Sequence, residues 1–140
     1  MKPYVHRVQY YETDKMGITH HSNYFRWMEE ARVDFLDRIG WSYDKLEENG
    51  IFSPVTAIDC RYANSTTFAD EIEIRIAVRE FRGVRLVLEY TMQKCSDGTI
   101  ACTGHSEHCF LNAEGKLIRL KKEYPDFYQT MVDLIEPEEK

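Results

Sequence analysis

The sequence predicts an α+β fold in which one five-stranded antiparallel sheet is wrapped around one long helix. Residues 23–39 repeat apolar side chains every three or four positions, which is the spacing of one helical face. Residues 54–112 instead alternate apolar and polar side chains in four stretches separated by short turns, as strands with one buried face do. With 140 residues, 43% of them apolar, the chain is expected to form a single domain over residues 1–140.

Local signals predict the elements around the long helix. A strand is predicted over residues 4–10, which are rich in Tyr and Val and follow a proline. Ser22 or Asn23 can cap the N-terminus of the helix, and Gly40 can close its C-terminus. A short second helix is predicted over residues 43–49. The apolar stripe of the long helix consists of Tyr24, Trp27 or Met28, Ala31, Phe35 and Ile39.

Four strands and a closing helix are predicted in the rest of the chain. The strands are 54–62, 71–80, 85–94 and 99–112, and the turns after the second, third and fourth are 81–83, 96–98 and 112–115. The closing helix is predicted over residues 127–135. Because one helix cannot cover five strands completely, the exposed apolar sheet surface and the nine tyrosines predict a dimer.

Composition argues against several classes of partner. The net charge of −6 argues against nucleic acid or an anionic membrane as the main partner. No apolar run approaches the roughly 20 residues that a membrane span needs, and no hydrophobic signal segment begins the chain, so a cytoplasmic location is expected. The four cysteines show no CxxC spacing and are expected to be free thiols, mostly small core residues.

The loop before the long helix contains the candidate catalytic group, the carboxylate of Asp14. Gly17, His20 and His21 lie between this carboxylate and the helix. The start of a helix offers unpaired backbone N–H groups and a partial positive charge. A carboxylate beside such donors can attack a carbonyl, or activate water against it, while the donors stabilise the oxyanion that develops.

The same loop belongs to a longer motif at fixed spacing: Tyr10-x-Glu12-Thr13-Asp14-x-Met16-Gly17-x-x-His20-His21-x-Asn23-Tyr24, followed by Glu29-Glu30-Ala31-Arg32. Three later segments add to it: Pro54-Val55, Asp70-Glu71 and Thr103-Gly104-His105-Ser106-Glu107-His108. With these residues, the chain resembles the hotdog-fold acyl-CoA thioesterases over residues 5–119, most closely the 4-hydroxybenzoyl-CoA thioesterase-like family.

The resemblance implies a hotdog fold whose protomers pair into a homodimer or homotetramer, with each active site between two protomers. It implies hydrolysis of an acyl-CoA substrate to a free acid and coenzyme A, without a cofactor. Asp14 matches the family's catalytic carboxylate, the His21 N–H matches a donor to the thioester carbonyl, and Tyr10 matches a nearby pocket residue. Thr19 departs from the family, which more often has an aliphatic residue there, and is expected to change the shape of the pocket.

Further residues are expected to bind the substrate. Gly17 leaves room for an acyl group beside the backbone, and Tyr24 is equally suited to the core or to the wall of the acyl site. Ser106, on the last strand, can reach the pocket of a second protomer. Arg61 and Arg82 can meet the phosphates of coenzyme A, although each is as readily a solvated charge. The other cations near predicted strand ends are Arg85, Arg119, Lys121 and Lys122.

Several alternatives stay open from the sequence. Asp14 can act as the nucleophile or as a general base. The chain can also be a thioesterase for acyl carrier protein, although its negative charge is unfavourable for an acidic carrier, or a non-catalytic acyl-CoA binding module. No metal site is expected, because His105 and His108, three residues apart on a strand, point to opposite faces of the sheet.

Overall fold

Five antiparallel strands form one sheet in the computed structural model, which describes residues 2–136. The strands are β1 (Tyr4–Arg7), β2 (Val55–Tyr62), β3 (Glu71–Phe81), β4 (Arg85–Lys94) and β5 (Ile100–Cys109). They lie in the order β1-β3-β4-β5-β2, and every neighbouring pair is antiparallel. The predicted five-stranded antiparallel sheet is therefore confirmed.

The predicted long helix is confirmed as α1 (Ser22–Arg38), which lies against β1, β2 and β3. Its apolar face joins the alternating inward side chains of β3 and β4 in one hydrophobic core. This packing follows from the helical period in the helix and the period of two in the strands. The buried apolar residues of the helix are Tyr24, Trp27, Met28, Ala31, Phe35 and Leu36.

The C-terminus of α1 ends as predicted, whereas its N-terminus does not. Gly40 adopts φ +84°, donates to the Asp37 carbonyl at 3.2 Å, and is followed by a 3.0 Å bond from the Trp41 N–H to the Leu36 carbonyl. This pair of bonds is the Schellman arrangement. At the other end His21 occupies the cap position and its own side chain makes no capping hydrogen bond, whereas Nδ1 of His20 accepts the Ser22 N–H at 3.3 Å. The prediction that Ser22 or Asn23 caps the helix is therefore wrong.

Several other boundaries differ from the prediction. The first strand stops at Arg7 instead of residue 10, because Tyr10–Glu12 forms a 3₁₀ turn that the Glu12 side chain closes onto the backbone of Gln9. The last strand stops at Cys109. The remaining helices are α2 (Tyr43–Glu48), α3 (Leu120–Glu123), which was not predicted, and α4 (Pro125–Asp133), which starts two residues earlier than predicted. None of the helices within residues 2–136 is long and apolar enough to cross a membrane.

The strand β2 lies at the edge of the sheet and exposes apolar side chains. Val55, Ile58 and Tyr62 are all exposed in the single chain. The position of β2 also leaves Cys60 half-buried, and Cys95 is exposed in a turn, so the expectation that the cysteines are mostly core residues is wrong. Of the four free thiols only that of Cys102 is buried. An edge of this kind presents unpaired backbone groups that can pair with another strand.

Candidate active site

A tight turn at the start of the site positions the carboxylate of Asp14. The Gly17 N–H donates to the Asp14 carbonyl at 2.9 Å, and the Asp14 N–H donates to the Ile18 carbonyl at 2.9 Å. Gly17 has φ +79°, which a residue with a Cβ adopts only with strain, so a glycine suits this position. The Met16 N–H donates to Oδ1 of Asp14 at 2.8 Å. Oδ2 accepts no hydrogen bond from residues 2–136 and is available to a reactant.

The start of α1 supplies an unpaired donor beside this carboxylate. Within the described part of the chain, the backbone N–H of His21 has no acceptor, and the first turn of the helix contains no acidic side chain. The partial positive charge of the helix start is therefore not compensated locally. On the other side of this peptide, the hydroxyl of Tyr62 donates to the His21 carbonyl at 3.3 Å. The backbone of His21 is thus held in place while its N–H stays free.

One cavity of about 310 Å³ joins these groups. It lies between the turn, the start of α1 and the end of β2. The structure therefore brings together three residues that the sequence singled out, namely Asp14, His21 and Tyr24. Its other lining residues are Met16, Ile18, Thr19, Tyr62, Ala63, Asn64 and Ser65.

A buried cluster of hydroxyl groups forms the floor of the cavity. The hydroxyls of Thr19 and Thr66 lie 2.6 Å apart, and that of Tyr24 lies 3.0 Å from Thr66. Burial raises the pKa of the Tyr24 phenol, so this side chain is neutral near pH 7. Thr19, the position that departs from the family, thus connects the segment after β2 to the turn that follows Asp14. Thr66 was not predicted, because nothing in its local sequence distinguishes it from an ordinary loop threonine.

Glu12 is a second residue whose role was missed. Its buried carboxylate accepts hydrogen bonds from the Gln9 N–H at 2.8 Å and from Nε1 of Trp27 at 2.6 Å, and lies 2.8 Å from Nε2 of His6. Burial by itself would raise the pKa of Glu12, but the hydrogen bonds from Gln9, Trp27 and His6 outweigh it and lower the pKa. The backbone carbonyl of Glu12 also accepts the His20 N–H at 2.8 Å. Glu12 therefore connects the loop that contains Asp14 to β1 and α1.

Gly17 shapes the turn but does not line the cavity, and four further predicted site residues also lie outside it in the single chain. The ring of Tyr10 is 76% exposed and packs edge-on against Phe68 at 5.7 Å. Arg61 lies on the surface of β2, and Arg82 lies in the turn between β3 and β4. This turn lies at the same end of the sheet as Val55 of β2. In β5, Cys109 pairs with Arg85 of β4, and the preceding residue, His108, pairs with Val55. The fourth residue, Ser106, is fully buried in the core.

Comparison with known proteins places this geometry in a family. The model of the thioesterase-like superfamily matches residues 8–132. The chain belongs to the thioesterase-like superfamily. The predicted hotdog fold and the predicted class of enzyme, a thioester hydrolase, are thereby confirmed.

Individual relatives are similar over most of the chain. The DHNA-CoA thioesterase of Staphylococcus aureus has 32% identity and a TM-score of 0.88, with 94% of this chain and 89% of that chain covered. A gentisyl-coenzyme A thioesterase has 28% identity and a TM-score of 0.78, with 89% and 99% covered. The Bacillus subtilis protein YneP, provisionally named an acyl-CoA thioesterase, is 30% identical over 122 residues, which are 86% of this chain and 88% of YneP.

Proposed function

We propose that this protein hydrolyses acyl-CoA thioesters with Asp14 as its catalytic carboxylate. The observation that supports this most directly is the pairing of two free groups around one cavity, namely Oδ2 of Asp14 and the N–H of His21. A thioester needs a base or nucleophile on one side of its carbonyl and a donor for the oxyanion on the other. The names of the relatives, which include enzymes that act on CoA thioesters, support the same substrate class.

In the general-base route, Asp14 removes a proton from a water molecule while the water oxygen forms a bond to the thioester carbon. The N–H of His21 donates to the carbonyl oxygen as it becomes an oxyanion. Collapse of the tetrahedral intermediate breaks the C–S bond, and the thiolate of coenzyme A takes up the proton. The products are one carboxylic acid and one free thiol. In the alternative route Oδ2 attacks the carbon and the C–S bond breaks, which releases the coenzyme A thiolate and leaves an anhydride; water then hydrolyses the anhydride to the free acid and the Asp14 carboxylate, and the released proton goes to the thiolate.

A second copy of the chain completes the site in this proposal. The exposed edge of β2 is suited to antiparallel pairing with the same edge of another protomer. In such a pair the Val55 end of one β2 lies beside the Tyr62 end of the other. The turn that contains Arg82 would then approach the cavity of the neighbouring copy, where its charge can meet the phosphates of coenzyme A. Sedimentation equilibrium that shows only monomer at the assay concentration would refute the pairing.

The test of the function is a thiol-release assay across short, long and aromatic acyl-CoAs with the Asp14→Asn variant. We expect kcat to fall about 10²-fold or more in this variant, as on the loss of a base or nucleophile. The unfolding midpoint should change little, because within residues 2–136 the side chain of Asp14 makes a single hydrogen bond, to the backbone of its own turn. Asp44→Asn, at an exposed position on α2, is the matched control and should keep full activity.

The outcomes separate the proposal from its alternatives. Full activity of the Asp14→Asn variant would refute the catalytic assignment. Saturable binding of acyl-CoA without release of thiol would indicate a binding module instead. A much higher kcat/KM with acyl carrier protein thioesters than with matched acyl-CoAs would replace the proposed substrate class. Hydrolysis in ¹⁸O-water over many turnovers distinguishes the routes, because ¹⁸O enters the Asp14 carboxylate only if Asp14 forms an anhydride and water then adds to its aspartyl carbon.

A further inference from the structure

The guanidinium of Arg32 is buried in the core without a carboxylate. Arg32 projects from the inner face of α1 and is 7% exposed. Nη1 donates to the Tyr90 hydroxyl at 3.1 Å, but no acidic side chain within residues 2–136 forms an ion pair with Arg32. Nε is buried and has no hydrogen-bond partner in the same part of the chain. A cation that is always charged and unpaired inside a core costs several kcal/mol.

The hydrogen-bonded chain that begins at Arg32 has only one consistent direction. Because a guanidinium can only donate, the Tyr90 oxygen accepts from Nη1. The Tyr90 O–H must then donate to Oγ of Ser106, 2.6 Å away, since no other acceptor is within reach in the described chain. The Ser106 oxygen could accept a second hydrogen bond, but its own proton has no other acceptor within reach in the described chain, so the Ser106 O–H donates to Nε2 of His108, 2.7 Å away. Nε2 is therefore the acceptor of a neutral imidazole, and its proton lies on Nδ1.

The tautomer of His108 leaves a second donor without an acceptor. Nδ1–H of His108 has no acceptor among residues 2–136. Burial, followed by the nearby charge of Arg32, lowers the pKa of His108 to about 4, in agreement with a neutral ring. Within the described chain, Nε of Arg32 is the one side-chain nitrogen or oxygen that is fully buried without a partner. Nδ1–H of His108 adds a donor without an acceptor beside this uncompensated positive charge.

Both residues line the same small cavity. It has a volume of about 20 Å³ and lies between α1, β4, β5 and α4. A cavity must exceed about 10–15 Å³ to hold a particle the size of a water molecule, so this one accommodates a single water or a monoatomic ion. Tyr43 and Ser53 are the other polar residues of its wall, and the rest are Leu and Phe. None of the described residues that line it is acidic.

We propose that this cavity binds one halide-sized anion, chloride in the cell, between Arg32 and His108. The ligand must accept two hydrogen bonds and offset a positive charge, and a monovalent anion does both. Water can accept the two bonds but leaves the guanidinium charge unpaired. An apolar wall also suits a large, weakly hydrated halide better than it suits a polyatomic oxyanion, whose remaining oxygens would stay unsatisfied. The bound anion stabilises the folded chain and takes no part in the reaction at Asp14.

The test is thermal unfolding of the full chain at constant ionic strength, with sodium chloride or bromide exchanged for sodium gluconate. We expect the Tm of the wild-type chain to rise with the logarithm of halide concentration once the site is occupied, because the anion binds only the folded state. The Arg32→Met variant should lose this dependence. The control variant Arg26→Gln, at an exposed position on the same helix, should keep it. An identical halide effect in Arg32→Met and wild type would overturn the proposal.

A second measurement keeps the proposal testable if Arg32→Met does not fold. Crystals of the wild-type chain grown in bromide should show an anomalous scattering peak between Nε of Arg32 and Nδ1 of His108. A water molecule at that position, with no anomalous signal, would overturn the proposal, as would a wild-type Tm that is the same in chloride and gluconate.

Discussion

Replacement of Glu12 by glutamine tests the contacts that hold the loop before α1, which contains Asp14, against the core. Oε1 of Glu12 accepts from the Gln9 N–H and lies against Nε2 of His6, while Oε2 accepts from Nε1 of Trp27. A glutamine side chain has the same shape but only one oxygen. If that oxygen takes the place of Oε1, the new amide NH₂ faces the Trp27 N–H across 2.6 Å, and two donors oppose each other.

The expected loss of stability follows from this geometry. The substitution removes one hydrogen bond to a charged group, which contributes about 1.5–3 kcal/mol, and leaves a buried indole N–H unsatisfied, which costs about 1–3 kcal/mol. Since the two losses describe partly the same contact, we expect the free energy of unfolding of Glu12→Gln to be about 3 kcal/mol lower than that of the wild type. The matched control is Glu29→Gln, an exposed position on α1, where the change should stay within about 0.5 kcal/mol.

The assay is urea denaturation at several pH values, with the midpoint compared at unchanged m-value. Because the folded pKa of Glu12 is lowered from 4.5, its ionised form stabilises the protein fully above that pH. The difference between wild type and Glu12→Gln should therefore be largest near pH 7 and shrink as the pH falls through the lowered pKa. A Glu12→Gln midpoint equal to that of the Glu29→Gln control at pH 7 would refute the reasoning.

The remaining predictions concern Tyr62 and His108. Tyr62→Phe removes the hydrogen bond that holds the His21 carbonyl. Since a single hydrogen bond contributes about 1 kcal/mol, kcat should fall about 5-fold while KM stays nearly unchanged. An unchanged kcat in steady-state thiol release would contradict this role. In gluconate buffer, wild-type stability should fall by about 3 kcal/mol between pH 6.5 and 4, because only unfolded chains protonate His108 in this range. Equilibrium denaturation of His108→Asn should show a flatter profile, and an equally steep one would contradict the assignment.

The fold could be predicted where burial follows a local period. The stripe of α1 from Tyr24 to Phe35 and the alternation in β3 appear in the sequence because each buried face recurs at the spacing of its own element. The predictions failed where distant residues decide the outcome. Glu12 turns the chain away from β1 only because it meets Trp27 and His6, and no local pattern indicates that three such residues will share one buried site.

The candidate site could be predicted in part for the same reason. Asp14, His21 and Tyr24 lie in one motif and meet in one cavity. Tyr62 joins them from β2, and its only sequence signal was an aromatic residue at the end of a predicted strand. Arg82 lies outside the cavity of the single chain; in the proposed pair its distance from the neighbouring cavity depends on how the two chains meet, which neither a local pattern nor one folded chain determines.

The prediction at the start of α1 is wrong because contacts outside the helix decide it. Propensity favours a cap by Ser22 or Asn23, whose side chain would accept an N–H from the first turn. Instead, the Asn23 amide donates to the carbonyls of Glu12 and His20, and the Ser22 N–H donates to Nδ1 of His20 at 3.3 Å. The N–H of His21, one residue before the helix, has no acceptor in the described chain, and the proposed reaction needs a free donor at this position. Unpaired polar groups are expected where function requires them, and Oδ2 of Asp14, across the same cavity, is the second such group.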